Sequence, residues 1–97
     1  MLSELIFPEY YSDAFDEIEV ETKGWFSGAK LSVAGKHYHL NFYDPVRLRQ
    51  AIEDHLVGGW AFFEPNLVVV KSVTRANMKQ AAEALVQSGQ VASLAAE

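Results

Sequence analysis

The feature that most constrains the fold is a long stretch of alternating polar and apolar residues interrupted by two glycine-containing turns. The alternation begins at Glu17 and ends at Tyr43, and the turns fall at Lys23-Gly24 and Ala34-Gly35. A period of two is typical of strands with one buried face, and a two-residue turn with glycine joins antiparallel neighbours. The stretch therefore predicts an antiparallel meander. Its three predicted strands are residues 17–22, 25–33 and 36–43.

The registers of the two predicted hairpins agree with each other, because every predicted pair places apolar side chains on the same face. A slip of one residue would move one whole strand's apolar set to the opposite face. The predicted pairs are Thr22 with Trp25, Ile18 with Ala29, Leu31 with Tyr38, and Ala29 with Leu40.

Two helices are predicted next, each with a start signal, an apolar stripe and a stop signal. Asp44 before Pro45 is a capping residue for the first helix, which should end at Gly58-Gly59. Thr74 is the equivalent cap of the second helix, which should end at Gly89. Two short strands, residues 60–64 and 67–73, are expected between the helices and on either side of a Pro65-Asn66 turn.

The predicted fold class is α+β, with a mainly antiparallel sheet, the element order β-β-β-α-β-β-α and two helices packed on one face. A chain of 97 residues is expected to form a single domain, residues 1–97, because it buries enough surface for one core but not for two. Residues 1–16 should be an irregular N-terminal segment, and residues 90–97 a tail or a short strand. The expected core residues are Ile18, Val20, Leu31, Leu40, Phe42, Leu48, Ile52, Leu56, Phe63, Val68, Val70, Met78 and Leu85.

Charge and cysteine content restrict the partners that the chain is expected to bind. The net charge of −5 disfavours nucleic acid and anionic membranes, and no apolar stretch is long enough to span a bilayer. The absence of cysteine excludes disulfides and cysteine-bound metals. Together with a start that lacks the basic and apolar regions of a signal peptide, it favours a cytoplasmic location.

No catalytic or cofactor-binding motif is present, so neither catalytic residues nor a cofactor are expected and an enzyme is disfavoured. His37 and His39 are weak candidates for a metal site, because alternate residues of a strand point the same way about 6–7 Å apart. Spacing fixes no third ligand, so a solvated pair is the preferred interpretation. His55 falls within the apolar stripe of the first helix, which is typical of a hydrogen-bonded core histidine.

An acidic patch is predicted at Glu17, Glu19 and Glu21, which share the polar face of the first expected strand. One interpretation is a solubilising surface that discourages sheet edges from pairing. The other is a docking site for a basic protein, as in an acidic inhibitor or immunity-type protein.

The sheet face away from the helices is predicted to carry four aromatic residues, namely Phe26, Tyr43, Trp60 and Phe62. Because monomers seldom expose large apolar patches, something should cover this face. The leading hypothesis is a non-enzymatic interaction domain that forms a two-fold homodimer through at least two of these aromatics, with Glu19 and Glu21 at the rim. The first alternative is a small-molecule-binding or enzymatic domain that uses the same face, and an unidentified protein partner also stays open. An intramolecular rival has Tyr10, Tyr11 and Phe15 folding back over the aromatics to leave a monomer.

Overall fold

A computed structural model describes residues 3–97 as an α+β fold with one mixed four-stranded sheet and three α-helices. The predicted α+β class is confirmed, and the predicted order of elements is wrong in detail. The elements are β1 (Ser3–Ile6), α1 (Ala14–Lys23), β2 (Trp25–Val33), β3 (Lys36–Tyr43), α2 (Pro45–Gly58), β4 (Leu67–Val69), α3 (Arg75–Gln87) and a 3-10 helix (Gln90–Ser93).

The hairpin of β2 and β3 is the part of the sheet that the sequence predicted best. Leu31 pairs with Tyr38 and Ala29 with Leu40, as expected. Ala34 (φ 49°) and the following glycine (φ 82°) both adopt the left-handed region, as a two-residue type I′ turn requires. This turn matches the natural twist of the strands and therefore sets their register.

The predicted first strand, residues 17–22, is wrong because this segment lies in α1. Asp13 caps the helix because its side chain accepts a hydrogen bond from the Asp16 N–H, and the Asp16 side chain accepts one from the Asp13 N–H. Gly24 ends the helix in the left-handed conformation, and Lys23 pairs with Glu19 one turn earlier. These local signals outweigh a period-two pattern that extends over only six residues.

The N-terminal segment takes the sheet position that had been assigned to residues 17–22. Ser3–Ile6 forms β1 and pairs antiparallel with β2, so Leu5 lies opposite Leu31. The prediction of an irregular segment over residues 1–16 is therefore wrong for β1 and for the start of α1, and its first two residues lie outside the described part of the chain. The predicted pairs of Thr22 with Trp25 and Ile18 with Ala29 are lost with it.

β4 makes the sheet mixed, because it joins β3 in parallel and not as part of a hairpin with residues 60–64. A parallel neighbour needs a crossover connection, and α2 supplies it. The predicted strand over residues 60–64 is instead a loop, which turns at Pro65-Asn66 and leads into β4. The predicted fifth strand is shortened to Leu67–Val69.

The main core lies between the sheet and α3. It includes Leu31, Leu40, Phe42, Val70 and Met78, all of them predicted core residues that are fully or almost fully buried. The other predicted core residues are less buried. Val20, Leu48, Ile52, Val68 and Leu85 are half-buried, whereas Ile18, Leu56 and Phe63 are exposed.

α2 contributes no residue to this core, in contrast to the expectation that both helices would cover one face. Its one buried residue, Ala51, borders a recess together with Trp25 and Tyr43. The side chain of Tyr43 alternates with that of the core residue Phe42 along β3, so the two point to opposite faces of the sheet. The recess therefore lies on the face away from the core.

The C-terminal residues follow β3 along the sheet edge beyond β4. The Glu97 N–H donates to the His37 carbonyl (2.9 Å), and the Asn66 side chain donates to the carbonyls of His39 (2.9 Å) and Ala95 (2.8 Å). The expected tail is thus a 3-10 helix followed by an extended end that is tied to the sheet. Within residues 3–97, no helix combines the length and apolarity needed to cross a membrane.

Candidate interaction surface

Large apolar side chains are exposed in three consecutive parts of the chain: the end of α2, the following loop and β4. Three of them are almost completely exposed: Val57 (90%), Trp60 (101%) and Phe63 (87%). Leu67 and Val69 continue the set on β4 with 36% and 48% exposure. We call these five residues the aromatic edge surface.

The loop that carries Trp60 and Phe63 is held against the sheet by polar contacts on its C-terminal side. The Tyr43 hydroxyl donates to Glu64 (2.6 Å), and the Asn41 side-chain amide donates to the Pro65 carbonyl (2.8 Å). These bonds fix the base of the loop while the two aromatic side chains remain in solvent. Trp60 and Phe63 are therefore exposed on a loop whose C-terminal end is fixed to the sheet.

β4 contributes main-chain groups as well as side chains, because it forms one edge of the sheet. Towards β3, the Asn66 carbonyl accepts from the Asn41 N–H (3.0 Å), and the Val70 N–H donates to the Tyr43 carbonyl (2.9 Å). Main-chain groups of successive strand residues point alternately to either side. The N–H and C=O groups of Leu67 and Val69 therefore point to the open edge.

A recess of about 430 Å³ lies beside this surface, and Phe63 lines it on one side. Tyr43 and Phe62 also border it, and the His55 ring meets Phe62 edge-on with centroids 4.9 Å apart. Burial raises the pKa of Tyr43 to about 12, and the hydrogen bond and negative charge of Glu64 act in the same direction. A phenol with this pKa is a hydrogen-bond donor at neutral pH and is poorly suited to act as a base.

Phe26 was predicted to share the exposed face with Tyr43 but lies in the core, with 5% exposure. It pairs with Phe42, whereas Tyr43 pairs with Trp25, and a β-bulge between Phe26 and Ala29 shifts the register. Phe26 and Tyr43 therefore point to opposite faces.

The N-terminal aromatic residues cover Phe26, and two of them, Tyr10 and Tyr11, are residues that the intramolecular rival expected to fold back. The ring of Tyr11 packs 4.8 Å from that of Phe26, with Phe7 and Tyr10 at 6.3 and 6.2 Å between centroids. This covering does not extend to Trp60, which stays fully exposed. Phe15, the third residue of the rival, is itself 83% exposed on α1.

The acidic residues do not form the strand face that was predicted for them, because α1 turns about 100° per residue. Glu17 pairs with Arg75 at 3.3 Å, and Glu19 pairs with Lys23 at 3.0 Å. Glu21 is exposed one helical turn after Glu17. Two of the three charges are thus engaged within the chain.

His37 and His39 lie on the same face of β3, as predicted, and both are exposed. The His39 Nε2 atom contacts the Ser27 carbonyl. Among residues 3–97, no group of three or more metal-ligating side chains comes together. His55 is exposed, contrary to its expected place in the core, and its Nδ1 atom bonds to the Ala51 carbonyl (2.9 Å).

Sequence reasoning identified Trp60 and missed the loop around it. Phe63 was assigned to the core because residues 60–64 were interpreted as a strand in a hairpin. The Gly58-Gly59 pair and Pro65 bracket a segment of only five residues, which is the signal that favours a loop. In comparisons with protein-family models, with curated proteins and with solved structures, the chain matches none.

Proposed function

We propose that the chain is a non-enzymatic protein-interaction domain that self-associates through the aromatic edge surface. The observation that carries this proposal is the exposure of Val57, Trp60 and Phe63, each at least 87% exposed, on the short segment that leads into an open strand edge. Exposed apolar clusters of this kind mark interaction sites, and tryptophan contributes strongly to binding when it becomes desolvated.

A two-fold homodimer is the simplest assembly for this surface, because closed two-fold pairs are the commonest homo-oligomers. The distribution of charge agrees with this assembly in one respect: none of the five residues of the aromatic edge surface is charged. Burying these five side chains therefore desolvates no charge of their own. A cytoplasmic location stays a prediction from the cysteine-free sequence.

Sedimentation equilibrium at tens of micromolar tests the proposal directly. We expect a mass near twice the 10.8 kDa of one chain, and a return to 10.8 kDa in Trp60→Lys with an unchanged circular dichroism spectrum. Phe15→Lys is the matched control, since Phe15 is also exposed but lies on α1, outside the surface. A wild-type protein that sediments as a monomer contradicts the proposal.

The recess beside Tyr43 supports a second candidate function, the binding of a small molecule. Its volume of about 430 Å³ lies within the range of ligand sites, and Arg47 and Phe62 offer it a cationic and an aromatic wall. Trp60→Phe leaves Trp25 as the chain's only tryptophan, so its fluorescence reports on the recess. Saturable quenching by benzoate that disappears in Arg47→Ala would support this function.

The third alternative, an acidic inhibitor or immunity-type protein, has less support. Its expected docking site consists of Glu17, Glu19 and Glu21, and the first two are paired with Arg75 and Lys23. Binding a basic partner there would first have to break or share these pairs.

A further inference from the structure

The edge of β4 has a geometry that fits a second copy of itself. Only Leu67 and Val69 present their main-chain groups outward, and Val68 between them is bonded towards β3. In antiparallel pairing, residues that exchange two hydrogen bonds alternate with residues that exchange none. A two-fold axis beside Val68 would therefore pair Leu67 of each copy with Val69 of the other, through about four hydrogen bonds.

The side chains along this edge leave it unprotected against pairing. Natural edge strands are usually guarded by charged residues, proline or bulges. The strand Leu67–Val69 contains none of these and consists only of Leu and Val, so only its short length of three residues limits pairing. The opposite edge of the sheet, β1, carries exposed Ser3 and Glu4 instead, so it is the less suitable of the two edges.

Charges at the two ends of β4 are complementary under the same two-fold symmetry. Glu64, which also accepts the hydrogen bond of the Tyr43 hydroxyl, precedes the strand and Lys71 follows it, at similar separations from Val68 along the chain. Antiparallel pairing brings the acid of one copy towards the base of the other, whereas parallel pairing would place like charges together. The chain carries a net charge of −5, so a local attraction of this kind offsets part of the general repulsion between copies.

We infer that two copies of the chain pair through β4 in antiparallel orientation and join their four-stranded sheets into one continuous sheet. This inference rests on the proposed self-association and names its geometry. The short edge sets the register, and Trp60 and Phe63 on the adjoining loop supply the apolar area that becomes buried beside it.

A single introduced cysteine tests this geometry, because the chain has no other cysteine. Facing residues that exchange no hydrogen bonds have Cα atoms about 4.5 Å apart, within the range that a disulfide spans. We expect Val68→Cys to form a covalent dimer in a glutathione redox buffer. Val46→Cys is the control: position 46 is 68% exposed, more so than half-buried Val68, and lies at the start of α2. We expect it to remain mainly monomeric.

A second pair of variants tests the same geometry without a covalent bond. Val69→Pro removes an outward N–H at an edge position where proline is tolerated, and Val69→Thr keeps that N–H and the branched shape. We expect the proline variant to weaken dimerisation at least about tenfold relative to the threonine variant, with both folded by circular dichroism. A wild-type dimer that Val69→Pro leaves equally tight, or that Val68→Cys fails to cross-link, overturns the edge pairing and leaves self-association standing. A wild-type monomer overturns both.

Discussion

Helices α2 and α3 begin with the same type of cap but differ in how far their apolar side chains are buried. Each follows an extended capping residue whose side chain accepts from a backbone N–H three positions later, Asp44 from Arg47 and Thr74 from Asn77. α3 buries Met78 completely against the sheet, whereas the last turns of α2 leave Val57 almost fully in solvent.

This difference shows what an apolar stripe on a helix does and does not predict. Burial of apolar side chains is favourable wherever it occurs, so the stripe indicates that a helix face will be covered. The stripe does not indicate whether the surface that packs on it belongs to the same chain or to another one. The sheet packs on the apolar stripe of α3, and we propose that a second copy of the chain packs on the end of α2.

The largest expected effect comes from truncating one apolar side chain in each helix. Met78→Ala should lower the free energy of unfolding by about 2–5 kcal/mol, because it removes a fully buried side chain from the core. Leu56→Ala in α2 should cost less than about 1 kcal/mol, since this side chain is already half in solvent. Urea denaturation of both variants at one protein concentration measures the difference.

Equal losses in the two variants would contradict the contrast between the helices. A large loss in Leu56→Ala that grows with protein concentration would instead show that α2 contributes to stability through association.

A smaller effect is expected from removing one arginine of each helix. The Arg75 guanidinium lies over the rings of Phe7 (4.6 Å) and Tyr11 (4.7 Å) and bonds to Glu17. Arg75→Ala should cost about 2 kcal/mol, because it releases the N-terminal segment from α3. Among residues 3–97, Arg49 on α2 bonds only to exposed Glu53, so Arg49→Ala should change stability by less than about 0.5 kcal/mol.

Arg75→Lys separates shape from charge in this contact. Lysine keeps the charge but lacks the planar group that stacks on the rings, so the variant should recover only part of the loss. Full recovery would mean that a positive charge bonded to Glu17 and to the Tyr11 carbonyl is sufficient to hold the segment in place, without stacking on the rings.

The β2–β3 hairpin was predictable because two independent signals agreed on it. The alternation along both strands and the Ala34-Gly35 turn specify the same register, and a slip would expose Leu31 and Leu40. The caps of α2 and α3 were predictable for a similar reason. A local hydrogen bond from Asp44 or Thr74 depends on neighbours only a few residues away.

α1 was not predictable from alternation, because residues 17–22 alternate as a strand does and α1 has no buried residue that would mark a helical stripe. The deciding signals were Asp13 and Asp16, which form the capping box, and Gly24, which closes the helix. The parallel position of β4 depends on long-range packing with β3, and no local pattern encodes it.

The candidate surface was predicted only in part, and the reason is geometric. Trp60 was assigned to the exposed face through the register of a two-residue turn at Pro65-Asn66, and Phe26 was assigned to the same face. The bulge between Phe26 and Ala29 breaks the strict alternation on which that assignment depended. Sequence periodicity cannot locate a face beyond a bulge that it does not detect.

The smallest expected effects concern two tyrosines on opposite sides of the sheet. Tyr43, beside α2, donates to Glu64 at 2.6 Å, so Tyr43→Phe should cost about 1 kcal/mol at neutral pH. Tyr11, beside α3, is buried with a hydroxyl that finds no partner among residues 3–97, so Tyr11→Phe should be neutral or stabilising by up to about 1 kcal/mol. Urea denaturation should therefore show a lower free energy of unfolding for Tyr43→Phe and an unchanged or higher one for Tyr11→Phe.

The pH dependence of stability sharpens this last contrast. Folding raises the pKa of Tyr43 from 10.0 to about 12, chiefly through burial and also through Glu64, so the folded state favours the protonated phenol. The resulting stabilisation is complete below pH 10 and is lost as the pH rises from 10 to about 12. Wild type should therefore lose more stability than Tyr43→Phe over this interval, and the comparison cancels the titration of lysines that both proteins share. Parallel losses in the two proteins would show that Tyr43 ionises as freely in the folded chain as in the unfolded one.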